Sequence, residues 1–327
     1  MERLECPACH GALRWRFGDR RGDRLEEAEA ACVECGSTYP VQEGIGLFLT
    51  PDLPRHDLWE ESESGIAAFL RGHPEIEDKL MNSPIESLSP ADQFFRASIL
   101  ADRGDFATAG EVSRLAYPRL YTSEHHAAYK SQIDFVVDRL AGEDGPAVDL
   151  ASGTCGLVEE MARRLTRPIV ATDFSPRVLR RDRRRFDSLG LGDRVSFLAF
   201  DARRTPFKDG AVATMTTNQG LPNIEQPGTL LKELRRAISG TFLAVTSFCP
   251  EDDPVNGPLL RRHGLETFFF KRLALEAFAA AGWRVEAANG RLAPARPTPT
   301  SELVPGAAID GFPAADTILE WCVLMAR

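Results

Sequence analysis

The chain has 327 residues, 43% of them hydrophobic, and a formal net charge of −9. Its length allows one large domain with a smaller companion, or two domains, and the acidic balance excludes broad sequence-independent nucleic-acid binding, which is driven by phosphate neutralisation. No apolar run approaches the roughly 20 residues of a membrane span and the start M-E-R-L-E-C has no signal-peptide pattern, so a cytoplasmic location is expected, with the seven cysteines as metal ligands or buried thiols rather than a disulfide framework.

Two CxxC pairs come first, Cys6/Cys9 and Cys32/Cys35. Each pair sets two thiolates on one tight knuckle. Together they complete the tetrahedral Cys₄ set that structural zinc prefers. His10 adjoins a ligand, but a site closed at four sulfurs has no place for it. Between the pairs, residues 14–29 are highly charged, with Trp15 and Phe17 alternating with arginine, and read as a solvated hairpin. The tail G-S-T-Y-P-V-Q-E-G-I-G-L-F-L resembles the end of the zinc-binding activator subunit that partners several tRNA, rRNA and protein methyltransferases. The ribbon is also similar to the N-terminal zinc module of 23S rRNA guanine methyltransferases. These resemblances cover residues 1–50. They imply a structural zinc and an accessory module that docks a catalytic domain or reads substrate.

The P-D-L-P stretch at 51–54 marks a linker, and W-E-E-S-E-S-G follows at 59–65. Ser89-Pro90 opens a helix with cap and proline in the favoured order, and Gly104 ends it. Residues 51–116 therefore read as linker and helical cover. The catalytic unit starts near Tyr117. Thr122 or Ser123 caps a helix over 124–140. His125 and His126 on it are either a general base or plain surface residues.

The next stretch organises the chain. A-V-D-L-A-S-G-T-C-G is followed by an apolar-periodic run over 157–165 and then R-P-I-V-A-T-D-F. Residues 148–150 read as a buried parallel strand. Gly153 and Gly156 allow a sharp turn and close approach of backbone N–H groups to a ligand. The helix beginning near Thr154 aims its N-terminus there. Asp173 closes the second strand, about 20 residues beyond the turn, where an acid accepts from both hydroxyls of a ribose.

This stretch resembles motif I and its partner acid in class I S-adenosylmethionine-dependent methyltransferases, in the ubiquinone/menaquinone-type branch. The D-x-G-x-G-x-G pattern stands here as Asp149, Ala151, Gly153 and Cys155. Cys155 departs from the third glycine, and Gly156 is expected to supply the lost backbone freedom. The resemblance implies cofactor binding by Asp149, Ala151, Ser152, Gly153, Asp173 and Phe174. It also makes Tyr121 and Tyr129 candidates to cover the methionine end of the cofactor, against packing on the sheet.

Ser175-Pro176 starts a helix rich in arginine (177, 180, 181, 183, 184 and 185). It reads as a solvated outer helix, or as an RNA-backbone contact. The third strand spans 195–200. Asp201 and Ala202 follow, then Pro-Phe-x-Asp-Gly, and by resemblance they meet the adenine. The fourth strand, 212–217, ends at Asn218 and Gln219, which are uncharged and orient rather than act as strong bases. A helix over 230–238, a fifth strand over 241–247, a helix over 273–281 stopped by Gly282, a sixth strand over 283–287 and a seventh over 318–325 complete the reading. Between the last two lies a proline-rich insertion of the length often used as a lid.

The expected fold is α/β: a seven-stranded, doubly wound, Rossmann-like sheet with an antiparallel last strand over 117–327, plus a small N-terminal β zinc ribbon. The resemblance implies S-adenosylmethionine as cofactor and methyl transfer as the reaction, with no catalytic residue named. A small-molecule acceptor is favoured over RNA (rRNA or tRNA), with a non-catalytic cofactor-binding scaffold as the third reading. Membrane and DNA partners are not expected.

Overall fold

The computed structural model describes residues 1–50, 52–53, 66 and 68–327. The predicted linker is described only at Asp52 and Leu53, and the acidic run 59–65 lies outside the described residues.

The first 50 residues form β1 (Leu13–Phe17), the short pair β2 (Arg20–Arg21) and β3 (Arg24–Leu25), β4 (Ala28–Cys32), β5 (Thr38–Gln42) and β6 (Ile45–Phe48). Helices α1 (Pro74–Asn82), α2 (Pro90–Asp102), α3 (Phe106–Leu120) and α4 (Ser123–Leu140) follow. Strands then alternate with helices: β7 (Ala147–Asp149), α5 (Gly156–Arg164), β8 (Ile169–Asp173), α6 (Pro176–Ser188), β9 (Val195–Phe200), β10 (Val212–Asn218), α7 (Pro227–Ala237) and β11 (Ile238–Phe248). The chain ends with α8 (Asn256–Arg262), α9 (Glu266–Phe269), α10 (Lys271–Ala280), β12 (Val285–Ala295) and β13 (Thr317–Ala326).

Among the described residues, eleven strands share one sheet, ordered β1-β4-β5-β6-β9-β8-β7-β10-β11-β13-β12. The run from β9 to β12 is the expected doubly wound α/β sheet. It is parallel from β9 through β11, and β13 enters antiparallel beside β11. The order reverses at β7, and an open sheet of this kind binds ligands beyond the carboxyl ends of its strands at that point. The central strands are buried on both faces, with Ala147, Ile169, Ala171, Phe242 and Leu243 all at most 1% exposed, as parallel strands covered by helices must be.

The ribbon does not stand apart from this sheet. β6 pairs parallel with β9, from Ile45 opposite Phe197 to Phe48 opposite Phe200. Cys6, Ala30, Cys32, Tyr39 and Phe48 share a core with Val148, Leu150 and Phe200. The edge strand that β9 would have presented is thereby covered, which removes an open row of backbone donors and acceptors.

The arginine-rich helix differs from the solvated expectation. Ser175 caps α6 by accepting from Val178 N at 3.4 Å. Its arginines then reach inward across the molecule. Arg183 Nη2 donates to both carboxylate oxygens of Glu26 in the ribbon at 2.7 Å. Arg185 pairs with Glu159 on α5, and Arg181 donates to Asp102 on α2 at 3.4 Å. The charges fasten three layers together because each faces a carboxylate of a different element, which sequence spacing alone does not disclose.

The helical cover holds a small core of its own, with Leu80, Phe95 and Leu120 packed on Val304 and Ile309 of the proline-rich insertion. Ser89 caps α2, accepting from Asp92 N at 3.1 Å. The Asp92 carboxylate in turn accepts from Ser301 Oγ and from the backbone N–H groups of Glu302 and Leu303. Cover and insertion are thus tied at one buried carboxylate. The sixth strand is longer than its pattern suggested, extending to Ala295 because pairing with β13 continues through Ala295 opposite Thr317.

Candidate functional site

The turn after β7 builds the floor of a cleft of about 320 Å³. Three residues of the turn take the left-handed conformation: Ala151 (φ 50°), Gly153 (φ 51°) and Cys155 (φ 56°). These are the three glycine positions of the motif. Cys155 itself adopts the conformation expected of Gly156, and Gly156 is the first residue of α5. For a side chain that conformation costs roughly 1–2 kcal/mol. Side-chain hydrogen bonds hold the turn in place. Thr172 Oγ1 donates to Asp149 O at 2.8 Å, Thr217 Oγ1 to Leu150 O at 2.8 Å, and Thr172 N to Ser152 Oγ at 3.1 Å.

Of the residues expected at the site, Ala151, Ser152, Gly153, Asp173, Phe174, Asp201, Ala202 and Asn218 line the cleft. Asp173 accepts from Gly153 N at 3.0 Å and from Ser175 N at 2.9 Å, so the acid is fixed between the turn and the α6 N-terminus. Asp149, Tyr121 and Tyr129 are not in the lining. Asp149 is 1% exposed beneath the turn and accepts from Thr216 Oγ1 at 2.6 Å. Burial pushes its carboxyl up to about 7. Tyr129 stands behind the wall, its hydroxyl accepting from Asn218 Nδ2 at 2.9 Å. Tyr121 is directed elsewhere, donating to Asp310 at 2.7 Å.

Asp201 is already engaged. Arg203 donates to it through Nη2 at 2.7 Å and Nε at 3.0 Å, and Arg203 N adds a bond at 2.9 Å. Both side chains are 5% exposed. Glu225 lies 3.3 Å from the same guanidinium. Gln219, expected to orient a ligand, and Arg181 of the arginine-rich helix also line the cleft, and so do Arg203 and Glu225, which were not singled out from the sequence. Arg203 and Glu225 are 22 residues apart and meet only through the sheet, so no local spacing marks them.

Behind the turn, Asp182 on α6 is 1% exposed and its Oδ2 has no hydrogen-bond partner among the described residues. Burial, opposed by the neighbouring Arg181, pushes its carboxyl up to about 6. The unfolded chain ionises this group near its ordinary 3.8 while the folded state resists, so its penalty is absent at low pH and grows as pH rises through that window. Asp182→Asn is expected to stabilise the protein by up to ~3 kcal/mol above neutral pH, with the gain vanishing near pH ~4. Denaturant unfolding at the two pH values checks this, and an equal effect at both would refute it.

The four ribbon cysteines converge. Cys6 Sγ lies 3.6 Å from Cys35 Sγ, Cys9 Sγ lies 3.5 Å from Cys32 Sγ, and all four sulfurs are within 4.8 Å of one another. Four thiolates at the usual Zn–S length sit about 3.8 Å apart on a tetrahedron, so the donor set fits zinc. Tyr39 Oη lies 3.2 Å from Cys6 Sγ, and the N–H groups of Glu34 and Cys35 donate to Cys32 Sγ at 3.4 and 3.5 Å. A side chain at Gly11 would press on Cys32 Sγ at 2.9 Å, which requires glycine in the first knuckle. His10 instead binds Glu5 at 2.6 Å.

Residues 147–240 match the family model described as a methyltransferase domain. Residues 147–240 thus form a methyltransferase domain. The demethylmenaquinone methyltransferase of Clavibacter sepedonicus is 36% identical to it over 116 residues, which is 35% of this chain and 44% of that protein. The enzyme of the same name from Renibacterium salmoninarum is 33% identical over 125 residues, 38% of this chain and 48% of that protein. The chain thus spans about half the length of these curated relatives. Among solved structures, geranyl diphosphate C-methyltransferase from Streptomyces coelicolor A3(2) is similar at 21% identity over 61% of this chain and 76% of that one, with a TM-score of 0.45. The methyltransferase domain holds the turn, Asp173, Asp201 and Asn218. The ribbon, the helical cover and strands β12 and β13 lie outside the matched residues. No helix among the described residues is long and apolar enough to cross a membrane.

Proposed function

We propose that this protein is an S-adenosylmethionine-dependent methyltransferase acting on a small molecule. The observation that carries this is Asp173 at the end of β8, held by Gly153 N and facing the cleft that Asp201 and Asn218 also line. The residues fit the cofactor. The buried Asn218 Oδ1 has no partner among the described residues, and the turn and two carboxylates offer the donors and acceptors that a nucleoside with a charged tail requires. When bound, S-adenosylmethionine supplies a methyl group on an already activated sulfonium.

In this reading Asp173 accepts from the ribose hydroxyls, and Phe174 packs beside the base. Asp201 and Ala202 meet the adenine edge, with Arg203 fixing the orientation of the Asp201 carboxylate. The turn at 151–153 holds the amino-acid tail, and Asn218 faces the reacting end. Positioning of this kind supplies most of what a pre-activated donor needs. The ribbon would hold a structural zinc at Cys6, Cys9, Cys32 and Cys35 and serve as a docked edge of the catalytic sheet, which supports a scaffolding role for residues 1–50. Engagement of Arg181, Arg183 and Arg185 by carboxylates of the same chain supports a small-molecule acceptor over an RNA backbone. The curated relatives, named for demethylmenaquinone, point the same way.

Calorimetric titration with S-adenosylhomocysteine is expected to show micromolar binding that weakens about 100-fold in Asp173→Ala, since two hydrogen bonds to a charged acceptor are lost. Absence of binding to the folded, zinc-loaded protein would overturn the proposal.

A further inference from the structure

The cleft carries one carboxylate more than the motif accounts for. Beyond Asp173 and Asp201, Glu225 also lines it, and Arg203 lies between the last two. Resemblance gives the exocyclic amine of the adenine to Asp201, the acid that follows β9. In this chain Asp201 is occupied. Its Oδ1 accepts from Arg203 N at 2.9 Å and from Nε at 3.0 Å, and its Oδ2 accepts from Nη2 at 2.7 Å. An ionised carboxylate offers about two acceptor positions on each oxygen. Oδ1 is therefore filled, and one position is left on Oδ2. Asp201 as a whole is 4% exposed. The guanidinium fork also balances its charge, and that charge is what strengthens a hydrogen bond to a carboxylate.

Glu225 stands differently. It lies in the loop between β10 and α7. That loop is held by two tight turns, in which Asn223 N donates to Gly220 O and Ile224 N to Leu221 O, both at 3.1 Å. The Glu225 side chain is 43% exposed. Among the described residues it accepts one hydrogen bond, from Arg203 Nη1 at 3.3 Å. Two carboxylates thus share one guanidinium, and the surplus acceptor capacity lies on Glu225. Phe200 and Ile224, the chain neighbours of Asp201 and Glu225, line the same cleft and give it apolar walls for a flat ring. A carboxylate can only accept. It suits the amine of an aminopurine and opposes the carbonyl of an oxopurine.

We propose that Glu225, rather than the motif acid Asp201, accepts from the exocyclic amine, and that it makes the site selective for an aminopurine nucleoside over an oxopurine one. This rests on the cofactor reading above and deepens it by assigning that contact to a residue outside the motif. Asp201 remains at the edge of the base as a positioning residue. It holds Arg203, and Arg203 in turn holds Glu225 at the cleft. The arrangement departs from the pattern the resemblance implies because Arg203, two residues beyond the acid, folds back onto it.

The test is calorimetric titration of the full-length, zinc-loaded protein with S-adenosylhomocysteine and with S-inosylhomocysteine, in which a carbonyl replaces the amine. The wild type is expected to prefer S-adenosylhomocysteine on the order of 100-fold, since the analogue loses a hydrogen bond to a charged group and sets two acceptors face to face. Glu225→Gln keeps the side-chain length and adds an amide donor. It is expected to weaken S-adenosylhomocysteine, strengthen S-inosylhomocysteine and shrink the preference to about fivefold or less. Glu225→Ala removes the acceptor without adding a donor, and is expected to weaken S-adenosylhomocysteine about tenfold while leaving the analogue no weaker. Asp201→Asn still accepts from Arg203 through its amide oxygen and is expected to retain the preference, which a residue that itself read the amine would not. Glu225 is half-exposed, so its variants are expected to melt with the wild type and to decide the matter even should Asp201→Asn not fold. Equal binding of the two ligands by the wild type, or an undiminished preference in Glu225→Gln, would overturn the inference. Failure of S-adenosylhomocysteine to bind the wild type would instead strike the cofactor reading, so the two failures are separable.

Discussion

Stripping zinc from the ribbon is expected to lower the melting temperature by roughly 10 °C or more, because structural zinc in small Cys-ligated modules contributes on the order of 10 kcal/mol of apparent binding free energy that is recovered only on folding. Here the loss would not stop at residue 50. β6 is hydrogen-bonded to β9 along Ile45 to Phe48, and Cys6, Cys32 and Phe48 pack in one core with Val148 and Phe200. β9 leads directly into Asp201. Chelation is therefore expected to open the β9 edge, raise amide exchange along 195–200 and weaken S-adenosylhomocysteine binding together with stability. Cys32→Ala should reproduce the effect without chelator. Thermal melts and hydrogen exchange with and without a chelator check this. A ribbon that loses its metal while the melt and the β9 amides stay unchanged would show that the sheet does not depend on it.

Asp201→Ala is expected to cost about 3–5 kcal/mol of stability, the range for breaking a buried ion pair from one side. The pair is 5% exposed on each partner, and the guanidinium meets the carboxylate through two N–H groups. Removing the carboxylate strands that charge in the cleft wall, with Glu225 at 3.3 Å as a half-exposed neighbour. Arg203→Met should be milder in combination with Asp201→Leu than either change alone, since replacing both partners by apolar groups removes the desolvation cost along with the attraction. A double-mutant cycle read by urea unfolding gives the coupling, and values below ~1 kcal/mol would place the pair with weak surface bridges instead. Cofactor titration of the same variants separates the two roles of Asp201, because Arg203→Met leaves the carboxylate in place but frees its orientation.

Several elements were readable in advance because they rest on local chemistry. The CxxC pairs announced a four-sulfur cluster, and the sulfurs do lie within 4.8 Å of one another. The alternation of apolar strands with capped helices announced the doubly wound sheet, since Ser175-Pro176 and Ser89-Pro90 carry their own start signals. The glycine turn was legible, but its details were not. The strain at Cys155 is borne by the cysteine, held by burial and by Asp182 beside it, and no one-dimensional pattern contains that neighbour.

The sequence by itself determined the alternation of strands and helices over residues 147–248, the four-cysteine cluster and the acids at the ends of β8 and β9, because caps, hydrophobic period and motif spacing act over a few residues. Only the tertiary structure decided that β6 extends the central sheet, that the arginines of α6 pair with Glu26, Glu159 and Asp102, that Arg203 occupies Asp201, and that Tyr121 and Tyr129 serve different neighbours. Each of these joins residues far apart in the chain, where burial makes an unpaired charge or donor costly and so fixes its partner, and that cost exists only once the layers are packed.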